Sequence, residues 1–469
     1  MNRKNWTALS ILFPLASLTA LACNPDAGSL TAIDGEPSAR TPMRLASGPV
    51  TGAITWSRSY SVTSHGDYED GVVAVDRDGN AFVRGYFTGA ADFGNGVTLD
   101  IGGEEGPYLL KVDPNGNALW ARSSLSLTQL GGIATDKAGN VYIATGSVIE
   151  SYDARGIFRW SKDLGGGINK IVHRTIAGTS SLLVGGFFSG TIALSATTTL
   201  GPAAGVADGF AVQLGDDGTY LSSVWVTDKA GQSPTYQDVG VVDAAADGSI
   251  VVGGFTYGSI AVGSFSHAAT PGTFGSGYVL KIASGGGVAW SKQFGGASAS
   301  FDGDVRGLAV DGLGNVVVTG PVSGTVDLGG GPLTTQGYDT FIAKYDASGA
   351  YQFAKLLGGA GADFIYPPSV DSAGNILIPG IAYSNPLLLG GQPFVTGNQV
   401  PFLAKLDGNG AVLWNHVFSG TVAGLAATPA PATDDVYLTF INYGTIDLGL
   451  GPLSIGASDE ARVIARFQP

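Results

Sequence analysis

Residues 307–315 read GLAVDGLGN, residues 316–324 VVVTGPVSG, residues 341–349 FIAKYDASG and residues 351–357 YQFAKLL. Each run is rich in β-branched or aromatic side chains and is bounded by Asp, Asn or Gly, the signature of strands joined by tight hairpins. The same four segments recur in the same order along the chain. The first type returns as GVVAVDRDGN, GIATDKAGN and PPSVDSAGN, with Asp76, Asp136 and Asp371 in the place of Asp311, and in looser form from Asp243 to Ser249. The second type returns as AFVRGYF, VYIATG, SLLVGGFF, IVVGGFTYG, ILIPGIAYS and VYLTFINYG, and the third as YLLKVDPNG, YVLKIASGG and FLAKLDGNG, with weaker copies FAVQLGDDG and VIARFQP. The fourth type carries Trp56, Trp120, Trp160, Trp225, Trp290 and Trp414, and Phe353 stands in the tryptophan place of the segment quoted above.

Repetition at a fixed period is the mark of a repeat architecture. Seven units of about 60 residues, each of four strands, describe an all-β fold: a seven-bladed β-propeller of four-stranded antiparallel blades over residues 54–469. The folded part opens with a tryptophan-type strand (residues 54–60) and ends with a third-type strand (residues 461–469). The last blade therefore lacks its fourth strand unless the N-terminal strand completes it, which closes the ring and removes an exposed sheet edge.

Composition agrees. Of 469 residues, 74 are Gly and 22 Pro, which argues against long helices, and a mean hydropathy of +0.22 with 13% charged residues excludes a disordered chain. The net charge of −14 makes nucleic acid a poor partner. All but six of the 38 acids are Asp, the residue that accepts hydrogen bonds from its own turn, so much of this charge is turn chemistry.

The N-terminus, MNRKNWTALSILFPLASLTALAC, has a basic start at Arg3 and Lys4, then an apolar stretch too short and too polar for a spanning helix, as in a secretory signal over residues 1–22. Cys23, the sole cysteine, ends it and resembles the lipidated cysteine of bacterial lipoproteins, although Ala20 stands where Leu is usual. Ala20-Leu21-Ala22 also satisfies the rule for ordinary signal cleavage. Two addresses follow: an outer-membrane lipoprotein of the cell envelope, facing periplasm or cell surface, or a secreted protein. With a single cysteine no intramolecular disulfide forms, and residues 23–53 read as a lipid-attachment site and flexible tether.

The segments D-x-x-G-N and F-x-x-K-x-D-x-x-G-x-x-x-W resemble the SBBP family of bacterial β-propeller repeats. The resemblance covers residues 54–469 and is poorest in the third and seventh units. It implies the fold and export, and no catalytic residues.

Within the repeat, D-x-x-G-N reads as a structural turn. Calcium is the functional alternative, because Asp76, Asp78 and Asn80 look like the start of a cation loop, though no bidentate Glu follows. The tryptophans are expected to pack between blades, and Lys111, Lys281, Lys344 and Lys405 to pair across strands. His65, His173, His267 and His416 fall at different points of the repeat without a local zinc-ligand spacing.

Alternating strands put both short Asp-rich hairpins of each blade on one face and the long, uneven connections on the other. The connections that lead to innermost strands carry Asp67, Tyr68, Asp70, Tyr236, Asp238, Asp302, Asp304, Asp363 and Tyr366. A ring of Asp and Tyr at the channel mouth suits a cation or a hydroxylated ligand such as a glycan. The expected role is a monomeric binding or scaffolding module at the bacterial envelope, without catalytic residues or cofactor, whose partners are the membrane through the anchor, envelope proteins or glycans. The alternative is a propeller enzyme, a metal-dependent hydrolase or quinoprotein-like protein, with its site at the channel mouth.

Overall fold

The computed structural model describes residues 52–61, 72–123, 130–203, 205–228, 236–268, 275–295, 304–397, 399–455 and 460–469. Among these there is no helix. The strands assemble into seven antiparallel blades. Blade 1 runs from its innermost strand outward as Val73–Val75, Ala81–Asp92, Thr98–Val112 and Ala118–Arg122. Blade 2 is Leu130–Thr135, Val141–Thr145, Val148–Tyr152 and Phe158–Asp163. Blade 3 is Gly167–Ile176, Thr179–Phe188, Asp208–Gly215 and Tyr220–Val226. In blade 4, Val241–Ala244 and the short Tyr236–Gln237 both pair with Ile250–Tyr257, followed by Ser276–Ile282 and Val288–Phe294. Blade 5 is Gly307–Val310, Val316–Asp327, Pro332–Tyr345 and Tyr351–Gly358. In blade 6, Phe364–Ile365 and Ser369–Val370 pair with Ile376–Ala382, then come Val400–Leu406 and Val412–Val417. Blade 7 is Val422–Pro429, Val436–Asn442, Ala461–Phe467 and, outermost, Ile54–Ser61.

That last pairing closes the ring as the segment order requires. Trp56 faces Arg466 and Ser61 faces Ala461 across an antiparallel ladder. The chain ends cut what would be the outer hairpin of blade 7, and Gly52 takes the place of its turn glycine: four residues before Trp56, at φ 58°, it lies against the Trp414 ring of blade 6.

Inside each blade the central stretches of the second and third strands are buried and pack by size complementarity. Gly85 faces Tyr108, Gly186 faces Phe210, Gly254 faces Tyr278, Gly320 faces Phe341 and Gly380 faces Phe402. A side chain at Gly85 would strike the Tyr108 ring at 2.7 Å, so glycine here makes room for the aromatic ring. Blade 7 solves the same packing in reverse, with Phe440 opposite Val463.

The tryptophans clamp successive blades. Trp56, Trp120, Trp160 and Trp290 donate their indole N–H to the carbonyls of Pro114, Ala154, Asp216 and Ala347, each in the outer turn of the next blade, at 2.8–3.2 Å. The rings lie on the glycines of those turns, Gly116, Gly156, Gly218 and Gly349, and Phe353 does the same with Gly410. These glycines have φ between 77° and 85°, so both conformation and space demand them. Trp225 departs from the pattern and donates to Asp208 within its own blade at 2.8 Å.

Among the described residues, the long connections between second and third strands are largely hairpin. Ala81–Asp92 and Thr98–Val112 continue their pairing to Asp92 opposite Thr98, and Ile260–Val262 pairs with Phe265–His267. Similar hairpins stand in blades 3, 6 and 7, and Val316–Asp327 extends likewise in blade 5. Their apolar side chains pack toward the outer strand of the preceding blade: Phe93 meets Tyr60 at 5.8 Å, Leu389 faces Leu357, Ile192 and Leu194 share a core cluster with Leu164, and Ile446 and Leu448 share one with Phe418. Burial of each such side chain contributes about 1.5–3 kcal/mol.

Candidate functional site at the loop face

The turn face is saturated with internal partners. In each D-x-x-G-N hairpin the Asp accepts the backbone N–H groups two and four residues on, as in Asp371 with Ala373 and Asn375 at 2.9 and 2.8 Å, and the Asn amide closes the cage at 2.8 Å. A lysine from the third strand neutralises the carboxylate: Lys111 with Asp76 at 3.2 Å, Lys344 with Asp311 at 3.2 Å and Lys405 with Asp371 at 2.8 Å. Both members of the Lys405–Asp371 pair keep only 2% of their side-chain surface. In blade 7 the same pairing joins Arg466 to Asp435 at 2.6 Å. In DRDGN the Asp76 carboxylate thus already holds three turn donors and an ammonium group. The outer turns hold acids of the same kind: the Ile157 N–H holds the Asp153 carboxyl below its usual range, and the Ser348 hydroxyl does so for Asp346.

The loop face carries acids of the opposite character. Cys23, Asp67, Tyr68, Asp70 and Asp302 lie outside the described residues. Tyr236, Asp238 and Asp304 come together where blade 4 meets blade 5. Burial pushes Asp238 up to about 6, and the Asp304 carboxylate adds to the rise. Asp238 accepts the Phe255 N–H at 2.8 Å, and Asp304 accepts from the Arg306 guanidinium at 2.9 Å. Burial also raises the Tyr236 hydroxyl, with Asp238 and Asp304 adding to it. The Tyr236 ring stands edge-on to Tyr257 at 6.4 Å, and Tyr257 is 42% exposed.

Asp363 and Tyr366 belong to a second group at blade 6. Asp363 is wholly buried and its carboxylate accepts the N–H groups of Tyr383 and Ser384 and the Ser384 hydroxyl at 2.6–2.8 Å, so it braces the loop. The Tyr366 hydroxyl accepts the Gly424 N–H at 3.1 Å and ties blade 6 to blade 7. Beside them are residues that the sequence reading missed. Asp339 is pushed up to about 6 by burial, with the Asp363 charge adding to it. Next to it, Phe364 lies 6.0 Å from both Tyr338 and Tyr383, and Phe364 and Tyr383 are 41% and 37% exposed. The signal was present in GYDTF, an acid between aromatic residues at the start of a buried strand. Asp339 lies within the strand Pro332–Tyr345 and not in a connection.

A third group was also missed. Asp136, His173 and Asp216 hold their ligand atoms within 4.8 Å of one another at the seam of blades 2 and 3. They are far apart in sequence and belong to different strands and turns, so no local spacing announces them.

No protein-family model and no curated protein matches the chain. Among solved structures, BamB from Moraxella catarrhalis is 12% identical, covers 89% of this chain and 99% of its own, and has a TM-score of 0.39. The WD40 domain of Pan2 from Neurospora crassa is 12% identical, covers 88% and 97%, and has a TM-score of 0.44. A protein of unknown function from Bacteroides caccae is 11% identical, covers 66% and 89%, and has a TM-score of 0.36. Similarity at this level carries no argument about function, and the SBBP resemblance has no family match behind it. The seven-bladed architecture rests on the strand pairing of the chain itself.

Proposed function

We propose that the protein is an exported, lipid-anchored binding module of a bacterial cell envelope, and that its loop face takes a hydroxylated ligand of the glycan class. The anchor rests on the signal-like residues 1–22 and on Cys23. The observation that carries the binding role is the contrast between the faces. On the turn face the acids are caged by turn donors and cations, whereas on the loop face Asp238 and Asp339 stand at about 6 beside the part-exposed rings of Tyr257, Phe364 and Tyr383. Aromatic faces and carboxyl oxygens together suit sugar rings, which offer C–H surfaces for stacking and hydroxyl donors for the acids. Calcium is less well served, because it needs six to eight oxygen ligands and the oxygens of Asp304 and Asp363 already hold Arg306, Tyr383 and Ser384.

Isothermal titration with envelope oligosaccharides and, separately, calcium tests the reading on wild type, on Phe364→Ala/Tyr383→Ala and on Asp302→Ala/Asp304→Ala. Sugar heat that is lost with the aromatic rings is the expected result. No heat from any sugar, with an envelope protein recovered by cross-linking instead, moves the assignment to a protein scaffold. Palmitate labelling that disappears in Cys23→Ala tests the anchor.

A further inference from the structure

Blades 2 and 3 break the repeat at the places where they touch. In blades 1, 5 and 6 the buried turn aspartate is neutralised by a third-strand lysine. In blade 2 that lysine is replaced: Ser151 faces Tyr142 in the register in which Lys111 faces Phe82. Asp136 is nonetheless 6% exposed, and among the described residues it forms no ion pair with Lys or Arg. Its oxygens accept the Ala138 and Asn140 N–H groups, the Asn140 amide and the Tyr142 hydroxyl at 2.7–2.9 Å. A buried carboxylate whose partners are neutral donors alone, where its counterparts in blades 1, 5 and 6 face an ammonium group, leaves a place for a cation.

Blade 3 supplies the rest. It lacks the D-x-x-G-N turn, and its first strand runs on to a two-residue hairpin at Ala177 and Gly178, both at positive φ. The extension carries His173 to the seam, where its Nε2 lies 2.8 Å from Asp216 Oδ1 in the outer turn of the same blade. The His173 ring is stacked on Tyr142 at 5.5 Å and 10°, and the Ser180 hydroxyl lies 3.4 Å from Nε2. Arg159 stands one layer back and donates to the Tyr142 and Ser151 hydroxyls at 3.3 and 3.0 Å.

We propose that Asp136, His173 and Asp216 form a site for a zinc-class divalent metal ion that clips blade 2 to blade 3. Zinc bonds of about 2.0–2.2 Å set ligand atoms roughly 3.3 Å apart, within the 4.8 Å spread of these three. One imidazole and two carboxylates leave a fourth position for water, balance the ion's charge, and favour zinc over calcium, which prefers oxygen alone. Tyr142 serves as the outer-layer donor that orients Asp136. The ion takes the place of a lysine that in blade 1 likewise spans a seam, since Lys111 also donates to the Ala154 carbonyl of blade 2 at 3.2 Å.

The test uses the full chain, freed of metal, titrated with zinc alone and followed by calorimetry, thermal midpoint and the visible spectrum of the cobalt form. One zinc per chain, a raised midpoint and a tetrahedral cobalt spectrum are expected, with affinity falling more than about tenfold in Tyr142→Phe and lost in His173→Gln. Ser151→Lys restores the repeat's own cation. It is expected to abolish zinc uptake while keeping the metal-free midpoint at or above wild type, which separates loss of the site from loss of the fold. Absence of zinc heat in wild type overturns the proposal, and so does zinc binding that survives unchanged in His173→Gln or in a folded Ser151→Lys.

Discussion

On the turn face of the ring, Lys405 and Asp371 are buried together at 2.8 Å, and the carboxylates of Asp153 and Asp346 are held below their usual range by turn donors. On the loop face, Asp238 and Asp339 are pushed up to about 6, and Phe364 and Tyr383 leave more than a third of their surface in water. One fold thus stabilises the charge of its acids at one end and penalises it at the other. Asp238 accepts the Phe255 N–H and Asp339 the Gln336 and Gly359 N–H groups, so the faces differ in how burial weighs on these acids and not in whether they have partners.

The largest test of this contrast removes a cation from the turn face. Lys405→Ala leaves Asp371 buried and uncompensated and is expected to cost about 3–5 kcal/mol, measured by chemical denaturation, and an unchanged midpoint would show that the pair is dispensable. Next comes Gly349→Ala in the clamp between blades 4 and 5. The added methyl lies 2.7 Å from the Trp290 ring at a residue with φ 85°, so a loss of about 1–3 kcal/mol is expected.

The acids separate the faces by pH. Asp238 and Asp339 have raised values, so the stability they lend is complete below about 4 and is lost as the pH rises through about 6. Asp346, whose value is lowered, acts in the opposite sense: its contribution is present above the ordinary 3.8 and is lost as the pH falls below that. Asp339→Asn should therefore flatten the decline in stability between about pH 4 and 7, whereas Asp346→Asn should lower stability at neutral pH and flatten the decline below about 4. A parallel shift of both curves would refute the distinction. The smallest effect on stability belongs to Phe364→Ala/Tyr383→Ala, expected within about 0.5 kcal/mol at each of these part-exposed positions. The same variant is expected to show the largest loss of sugar binding.

Much of this was legible in residues that act on near neighbours. The Asp and Asn of D-x-x-G-N cage a turn within five residues, and the tryptophan spacing marks the outer strand of each blade. The connections were harder to read. Residues 259–268 contain a hairpin whose apolar side chains gain meaning only from the blade they cover. Tyr366 ties blade 6 to blade 7 and Asp363 braces a loop, contacts between distant segments that leave no local pattern. His173 carried no signal because its partners come from another blade and another turn.

The sequence by itself determined the four strands of each blade, their order, the number of blades and the completion of the last by the first strand, because hairpin turns and a repeated pattern are properties of short stretches. Only the tertiary structure decided which acids are satisfied and which are raised, and which histidine meets which carboxylates. Those outcomes depend on burial and on contacts across blade seams, where residues separated by tens or hundreds of positions meet in a low-dielectric interior.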